Sequence, residues 1–557
     1  MSAPKPLPMT LPMTSPAEAA RYRRAGIWGD ATIFERFRAA ADRFPAKIAV
    51  RDAKAQYTYA ELRHLIDNLA GHLLRLGIRP GEVVALQAPN WAELALLHLA
   101  ANRIGALYLS LNDHWREREV GHLLKLSGAR LVIVPRRYRD FDYPALIATL
   151  KPDLPALVHV FATDGEAPGA RPFAELLTPG AASEADLAAR RPHEDEPAHI
   201  MLSSGTTALP KISLWGGNDL LALLDPFAAA MDFRPDDVAA GLAPANTGAT
   251  GYVFPLLAPL LHGATSIMME RWSSPAEAVD LIIENRCTYA TAIPTQMTQM
   301  LPHLEARRPD AFQVFTRFNN AGAALPYDTG VKIETLMGCK VQCMYGTTDG
   351  GVPAMTTMRD SREKRIRSVG KILPECECEL WDEDGRPVKP GEEGEIVWRS
   401  PTKSFGYMNQ PDETAKAFPR DRFYRSGDLG RIDADGYLSI VGRVKDMILR
   451  GGRNISPRTA EEALIKHPSV LEVSVAAMPD PIMGERACAF VVLRAGRRLS
   501  MGEMLAFLKA EEVGVFDMPE RLEILAELPR STGGKYQKNK LTEYVTEKLK
   551  AEGTIGR

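Results

Sequence analysis

The stretch Leu202–Ser213, LSSGTTALPKIS, places four hydroxyls and a glycine within five positions and sets a lysine close behind them. Backbone N–H groups in a tight glycine turn, flanked by Ser and Thr hydroxyls and one ammonium, form a cradle for a polyphosphate. The spacing is not the GxxxxGK[ST] P-loop, because Pro210 precedes Lys211 and Ile212 follows it. A plain surface loop has the same composition, so the choice between the two rests on the rest of the chain. Five more stretches carry charge beside glycine or a hydroxyl: YGTTD (Tyr345–Asp349), YRSGD (Tyr424–Asp428), GRVKD (Gly442–Asp446), RGGRNISP and PRSTGGK (Pro529–Lys535). Other groupings carry less. Cys339-x3-Cys343 and Cys376-x-Cys378 have no histidine at metal-ligand spacing, and Cys376 and Cys378 alternate with glutamates as one face of a strand does. Asp433-x-Asp435-Gly436 lacks the third acidic ligand and the closing glutamate of a calcium loop.

These stretches need a scaffold, and the sequence signals one. A helix is predicted from about Tyr57, with Thr58 and Glu61 as a capping box, Leu62, Leu65, Ile66, Leu69 and Leu73 as its apolar stripe, and Gly77 as its stop. Strand Val83–Ala88, a helix around Trp91–Ile104, strand Ala106–Leu111, a helix near Val120–Leu126 and strand Leu131–Val134 continue the alternation expected of βαβ units with buried parallel strands. Beyond Cys376 the texture changes to short strands joined by Asp/Gly turns, as in WDEDGRPVKPGEEGEIVW and RIDADGYLSIVGR. After Gly442 a polar, glycine-rich run marks the best candidate boundary, and the roughly hundred residues that follow suffice for a small α+β domain.

Bulk properties narrow the function. A chain of 557 residues exceeds one ordinary core, so several subdomains are expected. With a net charge of −2 there is no basic excess to hold a nucleic acid. Few cysteines point to a reducing compartment. Residues 1–25 read as a loosely ordered lead-in rather than a signal or anchor, and Val253–Met269 is too short and proline-broken to span a bilayer. A cytoplasmic protein acting on small molecules is expected.

In their order, the motifs resemble the core series of the adenylate-forming superfamily of acyl- and aryl-CoA synthetases, adenylation domains and luciferases, over about Ile33 to Leu541. The segment YRRAGIWGDATIFERF further resembles ligases of the cyclohexanecarboxylate type. The resemblance implies an α/β fold: two α/β subdomains and a β-barrel-like subdomain in residues 1–444, then a small mobile α+β lid over 445–557. It also implies the reaction. A carboxylate attacks the α-phosphorus of Mg-ATP to give acyl-AMP and pyrophosphate, and a thiol, that of CoA or of a separate carrier protein, then displaces AMP.

Residue by residue, the resemblance gives Ser203, Thr206, Thr207 and Lys211 to the β- and γ-phosphates, Tyr345 to stacking on adenine with Ala323 beside it, and Thr348 to the α-phosphate. Asp349 takes the place of the usual Mg²⁺-binding glutamate, Asp428 and Arg443 hold the ribose, and Lys445 is the hinge. Gly452 borders the pantetheine passage, and Lys535 is the cation that joins substrate carboxylate to α-phosphate. Acetylation of Lys535 by a protein acetyltransferase would erase that charge. The acid is expected in a pocket of Asn246, Gly251, Ala321 and Gly322, with room for a cyclic, aromatic or medium-chain body. Ala208, Ile212, Asp349, Thr459 and Ala460 depart from the family pattern. These departures keep open a regulatory nucleotide-binding protein without turnover.

Overall fold

The computed structural model describes residues 14–203, 209–246, 248–451, 453–530 and 536–554. Three of its sheets organise the chain. The first has seven strands, in which Pro197–Ser203, Leu107–Leu111, Val83–Gln87, Leu131–Val134, His159–Ala162 and Arg171–Pro172 run parallel in that spatial order, and Lys211–Gly216 closes one edge antiparallel. The expected alternation holds almost to the residue. The capping box of Thr58 and Glu61 starts the helix Tyr59–Arg75, and the helices Glu93–Arg103 and Glu117–Ser127 fall between the strands where the apolar spacing puts them. Val83–Gln87, Leu107–Leu111 and Leu131–Val134 are buried along their whole length, as strands covered on both faces must be.

The second sheet has thirteen strands and changes character halfway. Strands Val238–Gly241, Tyr289–Ala292, Arg317–Asn320 and Lys340–Thr347 are parallel, each preceded by buried helices. From Lys340–Thr347 onward the pairing turns antiparallel, through Gly351–Met355, Gly370–Ile372, Tyr437–Arg443, Tyr424–Ile432, Gly394–Arg399 and Glu377–Trp381. This array stands where the barrel-like part was expected. It is open, since no ladder joins its end strands among the described residues. Both Asp/Gly stretches are antiparallel pairs here, and Cys376 and Cys378 pack against the core of this array. All six cysteines are free thiols. Lys364 bonds both Asp433 and Asp435, so the calcium-like turn is a salt-bridged surface corner.

A five-stranded sheet built from Ile448–Arg450, Arg453–Ile455, Val470–Asp480, Gly484–Leu493 and Arg521–Ile524 forms the small C-terminal part. Helices Pro457–Leu464 and Met501–Ala510 pack against this sheet around Val475 and Val491, and helix Lys538–Ala551 packs around Phe490.

The lead-in expected to be loose over residues 1–25 is corrected where it is described. Pro16–Arg24 is a helix with a complete Ser15/Glu18 capping box and proline at its start. It is pinned down: Tyr22 is fully buried, Arg21 pairs with Glu375 and Glu377, Glu18 with Arg399 and Arg422, and Trp28 Nε1 donates to the Pro401 carbonyl. Proline spacing in the sequence masked the capping signal. Among the described residues, no helix is long and apolar enough to cross a membrane.

Candidate active site

A cleft of about 1530 Å³ opens where the parallel strands of both large sheets end and the C-terminal part faces them. Carboxyl ends of parallel strands at a topological switch are where α/β sheets hold ligands, because loops diverge there and leave a crevice. Ser203 ends one such strand, Ala321–Ala323 follow a second, and Thr348 and Asp349 follow a third. From the antiparallel array come Asp428 and Arg443, and from the C-terminal part Tyr536, Gln537, Lys538 and Lys540.

The motif that opened the sequence reading sits on a hairpin. Ser203 and Lys211 are directly opposite one another in the antiparallel register, and both border the cleft. Thr206 and Thr207 lie outside the described residues, as do Gly452 and Lys535. Arg530 and Tyr536 form a β-bridge, and both line the cleft. Lys538 is committed elsewhere, to Glu461 at 2.7 Å and the Val475 carbonyl at 2.9 Å, which separates it from the other lysines of that cluster.

Around Asp428 the polar groups are closely paired. Asp428 and Arg443 are register partners on adjacent strands, with Arg443 Nε 2.6 Å from Asp428 Oδ1. The Tyr345 hydroxyl donates to Asp428 Oδ2 at 2.7 Å. Burial first, and then the Asp428 charge, push that hydroxyl well above its ordinary pKa and keep the proton on it. A carboxylate has about four lone-pair sites, so Asp428 retains capacity for two further hydroxyls.

Around Asp349 the groups are less satisfied. Asp349 is buried at the tip of the turn between Lys340–Thr347 and Gly351–Met355. Gly351 makes that turn possible: its φ is +79°, and a Cβ there would lie 1.6 Å from the Thr402 carbonyl oxygen. The backbone of the turn is braced by Trp398 Nε1 donating to Gly350 O at 2.6 Å and by Trp215 Nε1 donating to Thr348 O at 3.0 Å. The Tyr407 hydroxyl donates to Asp349 Oδ2 at 2.8 Å, while Oδ1 has no hydrogen-bond partner among the described residues. Burial raises the Asp349 pKa to about 6, against the opposing pull of Tyr407 and Lys211. Lys211 stacks over the Tyr407 ring at 4.7 Å and pairs with Glu413. An unpartnered buried carboxylate oxygen is the kind of donor a hard cation takes. No cluster of three or more metal-binding side chains exists among the described residues, so a cation at Asp349 would draw its remaining ligands from phosphate oxygens and water.

Tyr407 and Glu413 are the residues the sequence reading missed. Their one legible sign is the helix start Pro411-Asp412-Glu413, a proline followed by first-turn acids. Lys445 lies on the 3-10 turn Val444–Asp446, between the thirteen-stranded sheet and the first strand of the C-terminal one. Asn246 borders the cleft with its amide engaged: Oδ1 accepts from Asn112 at 2.9 Å. Gly251 does not border it. It is buried in the π-helix Ala249–Leu257, whose wide turn presents Ala249, Thr250 and Phe254 to the cleft instead.

The profile described as AMP-binding enzyme matches residues 37–408, and the one described as AMP-binding enzyme C-terminal domain matches residues 459–535. The chain is 33% identical over 534 residues to the medium-chain fatty-acid–CoA ligase of Escherichia coli, covering 95% of this chain and 93% of that protein. It is 32% identical over 529 residues to the salicyl-AMP ligase / salicyl-S-ArCP synthetase of Mycobacterium tuberculosis, covering 93% and 92%. The crystal structure of the anthranilate CoA ligase AuaEII with anthranoyl-AMP superposes with a TM-score of 0.84 at 24% identity, over 94% of this chain and 98% of that one, which speaks to the fold alone.

Proposed function

The chain belongs to the AMP-binding enzymes of the adenylate-forming superfamily, and on that premise we propose that it is an acid–CoA ligase acting on a cyclic, aromatic or medium-chain carboxylate. One observation carries this reading: a paired carboxylate–guanidinium site, a half-paired buried carboxylate and, from the C-terminal part, Arg530 and Tyr536 border a single cleft.

Each half-reaction follows from charge. A carboxylate and a triphosphate repel, so the residues must hold both anions and supply positive charge where negative charge develops. Asp428 accepts from the ribose hydroxyls with Arg443 beside it, and Tyr345 offers its ring to adenine. Ser203, Thr206 and Thr207 donate to the outer phosphates. Thr348 donates at the α-phosphate, next to Ala323. Lys211 exchanges Glu413 for phosphate when nucleotide enters. Asp349 holds Mg²⁺, which when bound neutralises phosphate charge and orients the pyrophosphate leaving group.

Residues 1–444 act as the nucleotide-binding part and 445–557 as a lid turning about Lys445. With the lid closed, Lys535 bridges the two anions; with it turned, Gly452 borders the path of the thiol. Replacing Lys535 by Ala therefore slows acyl-AMP formation by about 10² or more and spares thioester formation from preformed acyl-AMP. A second reading, loading of a carrier protein, is favoured by the name of the mycobacterial relative.

The test is to incubate the protein with ATP, Mg²⁺ and a panel of benzoates, cyclohexane acids and linear acids, with and without CoA. Acid-dependent pyrophosphate exchange and CoA-dependent thioester mass are the expected results. Exchange without a CoA thioester moves the assignment to the carrier reading, and no exchange with any acid overturns it.

A further inference from the structure

Behind the cleft wall lies a second tier of polar side chains that the reaction above does not use. On the seven-stranded sheet, His199 is in register with Tyr108 on one side and Trp215 on the other. Counting on by twos keeps to one face: Met201 opposite Ser213 with Ser110 on the far side, then Ser203 opposite Lys211 with Asn112 beyond. Ser203, Lys211, Asn112, Met201 and Trp215 border the cleft, whereas His199, Tyr108 and Ser110 lie just behind Met201 and Trp215.

These hidden residues are unsatisfied. His199 is 3% exposed, Tyr108 0% and Ser110 7%. Among the described residues, His199 Nδ1 has no hydrogen-bond partner, and the Tyr108 and Ser110 hydroxyls have at most each other. The back of the tier is closed by His98, whose Nδ1 is 2.6 Å from the Tyr252 hydroxyl and whose ring lies 4.5 Å from that of His199. Polar groups left short of partners in one buried cluster are costly, because they have lost water without full replacement. Met201 is the partition, and an unbranched thioether side chain is the one best suited to yield to a ligand.

We infer that this tier is the distal end of the acyl pocket, and that it takes a neutral hydroxyl group carried by the carboxylic acid at its end remote from the carboxylate. The inference rests on the ligase reading above. A hydroxyl both donates and accepts, which matches a set of two hydroxyls and an imidazole nitrogen. Burial lowers the His199 pKa to about 3, so the ring stays neutral and a charged substituent would meet no opposite charge among these residues. Two to four residues of strand separate the tier from the level of Ser203, roughly 7–13 Å at ~3.3 Å per residue.

Pairs of acids differing only in that hydroxyl test it: benzoate with 4-hydroxybenzoate, cyclohexanecarboxylate with its 4-hydroxy form, and decanoate with 10-hydroxydecanoate, read as kcat/KM for pyrophosphate release. In at least one pair the hydroxylated acid is favoured by about tenfold or more, because a site built to bond a hydroxyl rejects the acid that lacks it. Both His199→Phe and the milder Ser110→Ala bring that ratio toward one. Equal rates in every pair, preference for the plain acids, or a ratio that survives both substitutions overturns the subsite and leaves the ligase reading standing. Absence of turnover with any acid overturns both.

Discussion

Two carboxylates of the cleft, Asp428 and Asp349, are equally buried, at 8% exposure each, yet they are built differently. Asp428 has a guanidinium 2.6 Å away and a tyrosine hydroxyl on its other oxygen. Asp349 accepts from the Tyr407 hydroxyl, has the Ser213 side chain near it, and feels Lys211, which is itself held by Glu413. Asp428 is therefore balanced by its neighbours, whereas Asp349 keeps an oxygen with no hydrogen-bond partner among the described residues. The contrast teaches that a single cleft can be rigid where it recognises and unfinished where it reacts.

Breaking the less satisfied carboxylate gives the largest effect. Asp349→Asn lowers the rate of acid-dependent pyrophosphate exchange by about 10²–10³, the scale of removing one group that stabilises transition-state charge. Asp349→Glu restores most of it, and raising Mg²⁺ does not rescue the asparagine. At the balanced carboxylate, Asp428→Asn weakens ATP binding by about 10–100-fold, as expected for charge-assisted hydrogen bonds, and leaves the Mg²⁺ dependence as it was. Nucleotide titration by calorimetry separates the two.

Stability sharpens the comparison, because the two substitutions move it in opposite directions. Burial raises the Asp349 pKa to about 6 from an ordinary 3.8, so the folded state holds this proton more tightly than the unfolded chain. Its favourable contribution is full below the unfolded value and is lost as pH rises through about 6. Without nucleotide, Asp349→Asn therefore raises Tm at pH 7.5 relative to the parent protein, and the gain shrinks toward pH 5. Asp428→Asn, which strips Arg443 of its partner, lowers Tm at pH 7.5. The smallest change is at Glu413, a half-exposed pair with Lys211. Glu413→Gln frees the lysine and lowers the KM for ATP by less than about fivefold, the usual limit for such pairs.

Much of this was legible in the residues because it is local. The helix from Thr58 and Glu61, the buried runs Val83–Gln87 and Leu131–Val134, and the two Asp/Gly strand pairs all follow from capping, periodicity and turn chemistry within a few positions. Asp428, Arg443 and Tyr345 were also named in advance, and the geometry brings them into contact. What escaped depends on distance along the chain. Glu413 meets Lys211 across 202 residues, and nothing in either neighbourhood announces the pairing. Gly251 was placed in the pocket on small-residue composition alone, which does not show that a π-helix over Ala249–Leu257 buries it. Nothing local to His98 or His199 announces their cluster, and only strand register sets His199 beside Tyr108.

The pinned first helix bears on how the chain is made. Trp28 finds its carbonyl partner at Pro401, 373 positions onward, and Glu18 waits for Arg399 and Arg422. At ~5–20 residues per second a ribosome needs roughly 20–75 s to deliver those partners. Throughout that interval Tyr22 and Trp28 have nothing from the late strands to settle against, which makes the nascent amino-terminal segment a natural handle for a chaperone and gives vectorial synthesis a late, chain-closing final step.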